Sequence, residues 1–143
     1  MAKKLDFVSL IETPQEVLDH VMEVSFRLKK QHRTTGRNDP IAAGKVLAMI
    51  FEKPSLRTRV SFQTAMIHLG GQALYISPSE IGLGKRESTA DVARVLSGMV
   101  DGIMARVFEH QKLIDLARHS TIPVINGLSD YSHPCQALAD LMT

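Results

Sequence analysis

Four short apolar runs recur along the chain, and each is followed by a stretch with helical character. The runs are KVLAMIF (45–51), QALYIS (72–77), GIMARVF (102–108) and IPVINGL (122–128). Continuous apolar runs of strand length are typical of parallel strands that are buried on both faces. Because these strands alternate with helices, we expect an α/β fold: a three-layer sandwich with a mainly parallel four-stranded sheet flanked by helices.

Capping residues and apolar periodicity locate the helices. In the first helix, which starts at TPQE, Thr13 is expected to be the N-cap and Glu16 to complete a capping box. The remaining helices are expected from about Ser55 to Gly70, at 88–100, at 109–120, and from HPCQ onward. The polar or glycine-rich segments 32–40 and 78–87 are predicted to be loops.

Length and composition restrict the class of protein. The chain has 143 residues, enough for one domain with a hydrophobic core, and 44% of them are hydrophobic. The net charge is +2 without a long basic run, so nucleic-acid binding is unsupported. A single cysteine, Cys135, favours a reducing compartment, and no apolar run is long enough to span a membrane. We therefore expect a cytoplasmic protein that binds neither nucleic acid nor membrane.

The stretch FEKPSLRTRVSF (51–62) concentrates three cations where a strand is expected to become a helix. Ser55 can N-cap that helix, and its free first-turn N–H groups and its dipole favour an anion. Arg57 and Thr58 fall in the same turn and could add a charged fork and a hydroxyl. Arg59 points to a different face, where it could serve only structure. A Ser-capped helix with solvated arginines explains the stretch equally well.

Arg106 lies near the C-terminal end of the third apolar run. A buried guanidinium is costly unless it is paired. An anion bound at the strand ends would pair it, and so would a structural carboxylate such as Asp101 or Glu109. Taken alone, the structural salt bridge is slightly favoured.

The motif HPCQ follows the fourth run. With His133 at or near the N-cap and Pro134 at the first helical position, Gln136 falls one turn into the helix. The imidazole can donate to a carbonyl oxygen, and the amide of Gln136 can both donate and accept. A His–Gln capping arrangement without a ligand is equally compatible with the motif.

These three groups come from separate segments, yet a parallel sheet gathers them at the carboxyl ends of its strands. The residues of PSLRTR suit a phosphate, whereas His133 and Gln136 suit a small carbonyl or amide group. The implied ligand is a small acyl phosphate or a similar compound. Cys135 and His133 are too few for a zinc site, so no metal is predicted.

The same motifs resemble a known family. FEKPSLRTRVSF resembles the S-T-R-T-R phosphate-binding motif of the carbamoyltransferases, and HPCQALADLMT resembles their H-P-x-Q-x-L-A-D signature. The segments 85–107 and 122–130 are similar to the family segments between those motifs. FEK and LAD are more similar to the ornithine branch of the family than to the aspartate branch.

The resemblance implies a protein of two α/β domains, of which residues 1–143 would be the carbamoyl-phosphate-binding domain. This chain would end in the interdomain helix, and the amino-acid-binding domain would be absent from it. The implied reaction converts carbamoyl phosphate and L-ornithine to L-citrulline and phosphate, a step of arginine biosynthesis or the urea cycle. The chain alone is not expected to complete this reaction. The family also implies a homotrimer and needs no cofactor.

The resemblance assigns the phosphate to Ser55, Arg57, Thr58 and the backbone N–H of Leu56. Leu56 replaces the threonine that is usual there, which is tolerable if only its backbone contacts the phosphate. Arg57 is also implied to be catalytic, because its charge would stabilise the departing phosphate.

The resemblance also assigns the carbamoyl group. Arg106 would bridge the phosphate and the carbonyl oxygen, His133 would donate to that oxygen, and Gln136 would contact the amide. Arg106 and His133 are therefore implied to be catalytic, through stabilisation of the oxyanion that forms when the amine of ornithine attacks.

One loop departs from the family pattern. Gly82 stands where many ornithine enzymes have a glutamine that reaches into a neighbouring subunit's site. Lys85 could substitute for it, as a lysine of similar reach does in aspartate enzymes, or the loop could simply be solvated.

Two other functions remain open from the sequence. The chain could be the same domain of an aspartate, acetylornithine or putrescine carbamoyltransferase. It could also be a non-catalytic module that trimerises or binds phosphate.

Overall fold

Four parallel strands form a single sheet in the computed structural model, which describes residues 4–143. The strands are β1 (Val46–Phe51), β2 (Gln72–Ile76), β3 (Gly102–Arg106) and β4 (Val124–Leu128). Their order across the sheet is β2-β1-β3-β4, and every pair of neighbours is parallel. The α/β fold and the parallel sheet expected from the apolar runs are therefore confirmed.

Six helices connect and flank these strands. They are α1 (Gln15–Thr35), α2 (Leu56–His68), α3 (Pro78–Ile81), α4 (Thr89–Ser97), α5 (His110–His119) and α6 (Pro134–Leu141). Ser55 is the N-cap of α2 and His133 is the N-cap of α6, as predicted. No helix within residues 4–143 is long and apolar enough to cross a membrane.

The start of α1 differs from the prediction. Pro14, not Thr13, is the N-cap, and no side chain caps the helix. The Thr13 hydroxyl is buried and donates instead to the carbonyl of Ser9, at 2.6 Å. The capping box expected between Thr13 and Glu16 is therefore wrong, because a competing hydroxyl-to-carbonyl bond in the preceding turn uses the threonine.

Both predicted loops contain helical turns. The helix α1 continues to Thr35 and ends at Gly36, whose φ of 73° gives the left-handed C-cap that glycine favours. The segment after β2 begins with α3, because the N–H of Ser77 donates to the Glu80 carboxylate at 2.8 Å in a capping box. Gly82 closes α3 with a φ of 46°, a left-handed conformation that a longer side chain would strain.

The two faces of the sheet are covered by different helices. Ile50, Ile103 and Val124 are fully buried on one face, against residues of α4 and α5. Met49 and Phe51 alternate with Ile50 along β1 and pack on the other face, against α2. This arrangement follows from right-handed crossovers, since β1 to β2 and β3 to β4 run in opposite directions across the sheet.

The connections that follow β1 and β3 leave in opposite directions across the sheet, and this places a crevice between the ends of these two strands. Phe51 and Arg106 are paired at the ends of these strands, and the N–H of Glu52 donates to the Arg106 carbonyl at 2.9 Å. In open α/β sheets the crevice at such a switch point is where ligands bind. The fold therefore directs attention to the carboxyl ends of β1 and β3.

Burial in the central strand predicts that two apolar side chains in neighbouring strands contribute very differently to stability. Ile50 is 0% exposed in β1, whereas Leu74 is 52% exposed in the edge strand β2. We expect Ile50→Ala to lower the free energy of unfolding by about 2–5 kcal/mol, because it leaves a cavity. Leu74→Ala is the matched control and should cost less than about 1 kcal/mol. Urea titration followed by circular dichroism measures both, and equal losses would contradict the assigned core.

Candidate functional site

A cleft of about 490 Å³ opens at the carboxyl ends of β1, β3 and β4, on the side of α2 and α6. It brings together six of the predicted site residues: Ser55, Arg57, Thr58, Arg106, His133 and Gln136. Five further residues line it: Ser61, Phe62, Leu128, Cys135 and Ala139. None of these lining residues is acidic.

Hydrogen bonds join the start of α2 to the end of β3. The Ser55 hydroxyl accepts from the N–H of Thr58 at 3.4 Å and donates to the Thr58 hydroxyl at 3.0 Å. The Arg106 Nη1 donates to the same Thr58 oxygen at 3.2 Å. Because this oxygen already accepts twice, the Thr58 hydrogen is free to donate to a ligand in the cleft.

Arg106 has no carboxylate partner in the part of the chain that the structure describes. The two structural partners considered from the sequence are engaged elsewhere, Asp101 with Lys45 and Glu109 with Lys112. Among the same described residues, the buried Arg106 Nε has no hydrogen-bond partner. Burial, and then the neighbouring Arg57, lower the pKa of Arg106. An anion in the cleft would relieve both penalties.

The two arginines of the RTR segment have different surroundings, as the sequence predicted. Arg57 is exposed at the first turn of α2 and lines the cleft. Arg59 lies over the ring of Tyr75, with 4.0 Å between its guanidinium carbon and the ring centroid. Stacking of this kind stabilises the packing of α2 on β2 and leaves Arg57 as the charge of this segment that lies beside Arg106.

His133 faces the cleft as a neutral imidazole. Its Nδ1 accepts from the N–H of Gln136 at 3.4 Å, which leaves the ring proton on Nε2. Burial, and then the positive charge of Arg106, lower the pKa of His133, and the carboxylate of Asp140 only partly opposes them. At neutral pH the ring is therefore a donor from Nε2, the form suited to a carbonyl oxygen.

Gln136 is exposed at the rim of the cleft. Its Nε2 donates to the Asp140 carboxylate one turn later, at 2.9 Å. This bond leaves the side-chain oxygen to accept from a ligand N–H. A contact between this side chain and an amide group remains a prediction.

Two predicted residues have side chains outside the cleft. Leu56 is 79% exposed, and its side chain lines a neighbouring groove on α2, so only its backbone could serve the cleft. Lys85 is exposed on the loop after α3 and lines a separate cavity of about 410 Å³ with Glu52 and Lys112. A role of Lys85 in the site of its own chain is therefore not supported by its position.

The additional lining residues could have been found from helix periodicity. Ser61 and Phe62 follow Thr58 by three and four positions, and Ala139 follows Gln136 by three, so each lies on the face already identified. Cys135 donates to the carbonyl of Asn126 at 3.5 Å. Burial raises the pKa of its thiol to about 11, so it lines the cleft as an apolar group rather than as a nucleophile.

Taken together, these groups can bind an anion that carries an adjacent carbonyl or amide group. Two guanidinium groups, two hydroxyls and the N-terminus of α2 converge on one side of the cleft, and His133 and Gln136 converge on the other. Fixed donors of this kind can stabilise negative charge that develops on an oxygen between them.

Comparison with known proteins agrees with this chemistry. A family model described as "Aspartate/ornithine carbamoyltransferase, carbamoyl-P binding domain" matches residues 5–143. An ornithine carbamoyltransferase from Anoxybacillus flavithermus is 51% identical over 141 residues, which cover 99% of this chain and 45% of the relative. An anabolic ornithine carbamoyltransferase from Pyrococcus furiosus is 51% identical over 96% of this chain and 44% of its own length.

Solved structures give the same result. The ornithine carbamoyltransferase from Pyrococcus furiosus superimposes with a TM-score of 0.91 at 50% identity, over 99% of this chain and 44% of that one. An N-acetyl-L-ornithine transcarbamylase mutant superimposes with a TM-score of 0.79 at 28% identity, over 95% of this chain and 46% of that one. This chain thus spans less than half the length of the relatives it matches. The motifs, the fold and the matched family model together show that the chain belongs to the aspartate/ornithine carbamoyltransferase family, as its carbamoyl-phosphate-binding domain.

Proposed function

We propose that this chain is the carbamoyl-phosphate-binding half of an ornithine carbamoyltransferase, which converts carbamoyl phosphate and L-ornithine to L-citrulline and phosphate. The observation that carries the proposal is Arg106, which lines a cleft without acidic residues and has no carboxylate partner among the described residues. A dianionic phosphate is the partner that such a group lacks. Residues 1–143 form the domain, and α6 begins the helix toward an amino-acid-binding domain.

The phosphate lies at the N-terminus of α2. The Thr58 hydroxyl and the backbone N–H of Leu56 donate to its oxygens, the Ser55 hydroxyl turns from Thr58 to donate to it as well, and Arg57 closes over it as a charged fork. This anion restores the pKa of Arg106 toward its ordinary range by replacing lost solvation with an opposite charge. No cofactor takes part in the proposed reaction.

The carbamoyl group extends toward α6. Arg106 and the Nε2 proton of His133 donate to its carbonyl oxygen, and Gln136 accepts from its amide. The amine of ornithine attacks the carbonyl carbon, the tetrahedral oxyanion is stabilised by Arg106 and His133, and the C–O bond to phosphate breaks. The attacking nitrogen loses a proton to the departing phosphate as the neutral urea group of citrulline forms.

The choice of ornithine rests on the relatives. The most similar proteins described above are named ornithine carbamoyltransferases and are about 50% identical to this chain, whereas the N-acetyl-L-ornithine transcarbamylase is 28% identical. Arginine biosynthesis is the corresponding role, as one of these relatives is named anabolic. Because the chain covers less than half of these proteins, the ornithine site is proposed to lie outside it. The cytoplasmic location expected from the sequence also remains a prediction, since another relative is named chloroplastic.

We further propose that the domain assembles as a homotrimer through α2. Leu56, Val60 and Ile67 are 79%, 52% and 60% exposed on this helix, and Leu56 and Val60 line an apolar groove. Arg57 and Ser61 line both this groove and the cleft. A neighbouring copy that packs on the groove would therefore lie beside the phosphate. An exposed loop residue of that copy, such as its Lys85, could then reach the phosphate.

Calorimetric titration with phosphonacetamide, a stable mimic of carbamoyl phosphate, tests the binding site. We expect the mimic to bind this chain more tightly than inorganic phosphate does. Arg57→Ala should lower the affinity for the mimic by about 10- to 100-fold, which corresponds to the loss of one charge-assisted hydrogen bond.

Arg118→Ala is the control for this titration, because it removes an exposed charge from the last turn of α5, away from the cleft. It should leave the affinity unchanged. The proposal fails if phosphate binds as tightly as the mimic, or if both variants weaken binding equally.

Light scattering coupled to gel filtration tests the trimer. The wild-type chain should elute at about three times the monomer mass of 15.8 kDa. Val60→Glu should give monomers, because it buries a charge in the apolar groove. Val95→Glu, at a 51% exposed position of α4 on the other face of the sheet, should remain trimeric. A monomeric wild type would contradict this assembly.

A further inference from the structure

The loop that carries His133 is held by side chains at its base. Between β4 and α6, the Ser129 hydroxyl accepts from the N–H of Ser132 at 3.2 Å and from the N–H of Tyr131 at 3.3 Å. The N–H of Ser129 donates to the carbonyl of Ser132 at 3.1 Å. These bonds close a tight turn. The turn is also tied to the segment after β3, because the N–H of Asp130 donates to the carbonyl of Phe108 at 2.9 Å and the N–H of His110 donates to the Asp130 carboxylate at 2.9 Å.

Asn126 connects the end of the turn that lies next to His133 to the strand β4. It lies in β4, is 0% exposed, and belongs to neither motif that the sequence identified as a ligand site. Its Nδ2 donates to the carbonyl of Ser132 at 3.2 Å, to the Ser132 hydroxyl at 3.2 Å and to the carbonyl of Val8 at 2.9 Å. One buried amide thus joins the N-terminal segment, the strand β4 and the residue directly before His133.

The backbone of Asn126 adds a second contact beyond His133. Its carbonyl accepts from the Cys135 thiol at 3.5 Å. Asn126 is also paired with Ala105 in β3, directly before Arg106. His133 is therefore flanked on both sides by residues bonded to Asn126, and the same residue is in register with the strand end that presents Arg106.

We propose that Asn126 is a positioning residue that holds the imidazole of His133 in the cleft, at the distance from Arg106 that carbonyl recognition requires. The proposal rests on the proposed function for its chemical consequence. Its geometric content, the placement of His133 by Asn126, does not depend on which ligand binds.

The pattern of donors explains why this position needs an amide. The amide nitrogen faces three oxygen atoms, whereas the buried Oδ1 has no hydrogen-bond partner among residues 4–143. Asn126 therefore acts here only as a donor, and a carboxylate of the same shape would place negative charge against these oxygens. The loop would move away from β4, and His133 would become more exposed to water.

Two readouts on Asn126→Asp separate positioning from general stability. In the ligand-free chain, NMR titration should show the pKa of His133 rising toward its ordinary value of 6.5, because burial and Arg106 both lower it in the native geometry. In calorimetry, phosphonacetamide should bind about tenfold more weakly, the value of one hydrogen bond. Inorganic phosphate should stay within about twofold, because its proposed ligands lie on α2 and β3.

Ser120→Ala is the matched control. Ser120 is 5% exposed in the loop before β4, at the opposite end of that strand, and its hydroxyl donates to the carbonyl of Ile122 at 2.7 Å. This variant removes a buried hydrogen bond without contacting the His133 loop. It should leave the pKa of His133 and both affinities unchanged even if it lowers the melting temperature.

A folded Asn126→Asp variant with the wild-type His133 pKa and mimic affinity would overturn the proposal. Equal weakening of both ligands would also overturn it, since that result indicates general loosening of the cleft. If the wild type binds neither ligand, the proposed function fails, whereas the pKa of His133 still decides the positioning role.

If Asn126→Asp does not fold, Ser132→Ala replaces it as the test. This variant removes one of the three acceptors and should raise the pKa of His133, and an unchanged pKa would overturn the proposal.

Discussion

The positive charge at the end of β3 is the constraint on which the site depends. Arg106 ends β3, beside the point where the order of the strands reverses. Within residues 4–143 its Nε is buried without a hydrogen-bond partner and no carboxylate pairs with it. The only side-chain bond it makes in that part of the chain is to the Thr58 hydroxyl. Such an arrangement is unfavourable without a ligand, and an anion in the cleft converts it to a favourable one.

The topology explains why the remaining site residues converge on that charge. A β2-β1-β3-β4 order brings the end of β1 beside the end of β3, so the loop into α2 opens next to Arg106. The strand β4 lies on the other side of β3, so α6 starts at the same edge and presents His133. The neutrality of His133 follows from this convergence, because burial and Arg106 both oppose a further positive charge. Two helix N-termini therefore approach one guanidinium from opposite sides, and a ligand with an anionic and a neutral end fits between them.

Much of this architecture could be predicted from the sequence, because the responsible signals are local. The apolar runs correctly indicated the four strands, and Ser55 and His133 were correctly identified as N-caps. The helix α3 was missed because its Ser77–Glu80 capping box lies within a segment that was assigned to a loop for its glycines. Thr13 was assigned wrongly because a local alternative, the carbonyl of Ser9, was available to its hydroxyl.

Non-local contacts limited the prediction of the site. The sequence alone could not decide whether Arg106 pairs with Asp101 or Glu109. In the fold, Asp101 forms an ion pair with Lys45 and Glu109 forms one with Lys112. Asn126 carries no signal of its own, since its partners Val8 and Ser132 are joined to it only by the fold. Leu56 and Lys85 illustrate the converse, because each lies in or near a recognisable motif while its side chain lies outside the cleft.

The most direct measurement of the central claim is the NMR signal of the Arg106 side-chain Nε–H, recorded without ligand and with saturating phosphonacetamide. If an anion pairs with Arg106, this signal should shift downfield and exchange more slowly with water on binding, because the guanidinium gains an anionic acceptor. An Arg106 signal that stays unchanged while the ligand binds would contradict this pairing, since the anion would then be held by α2 alone.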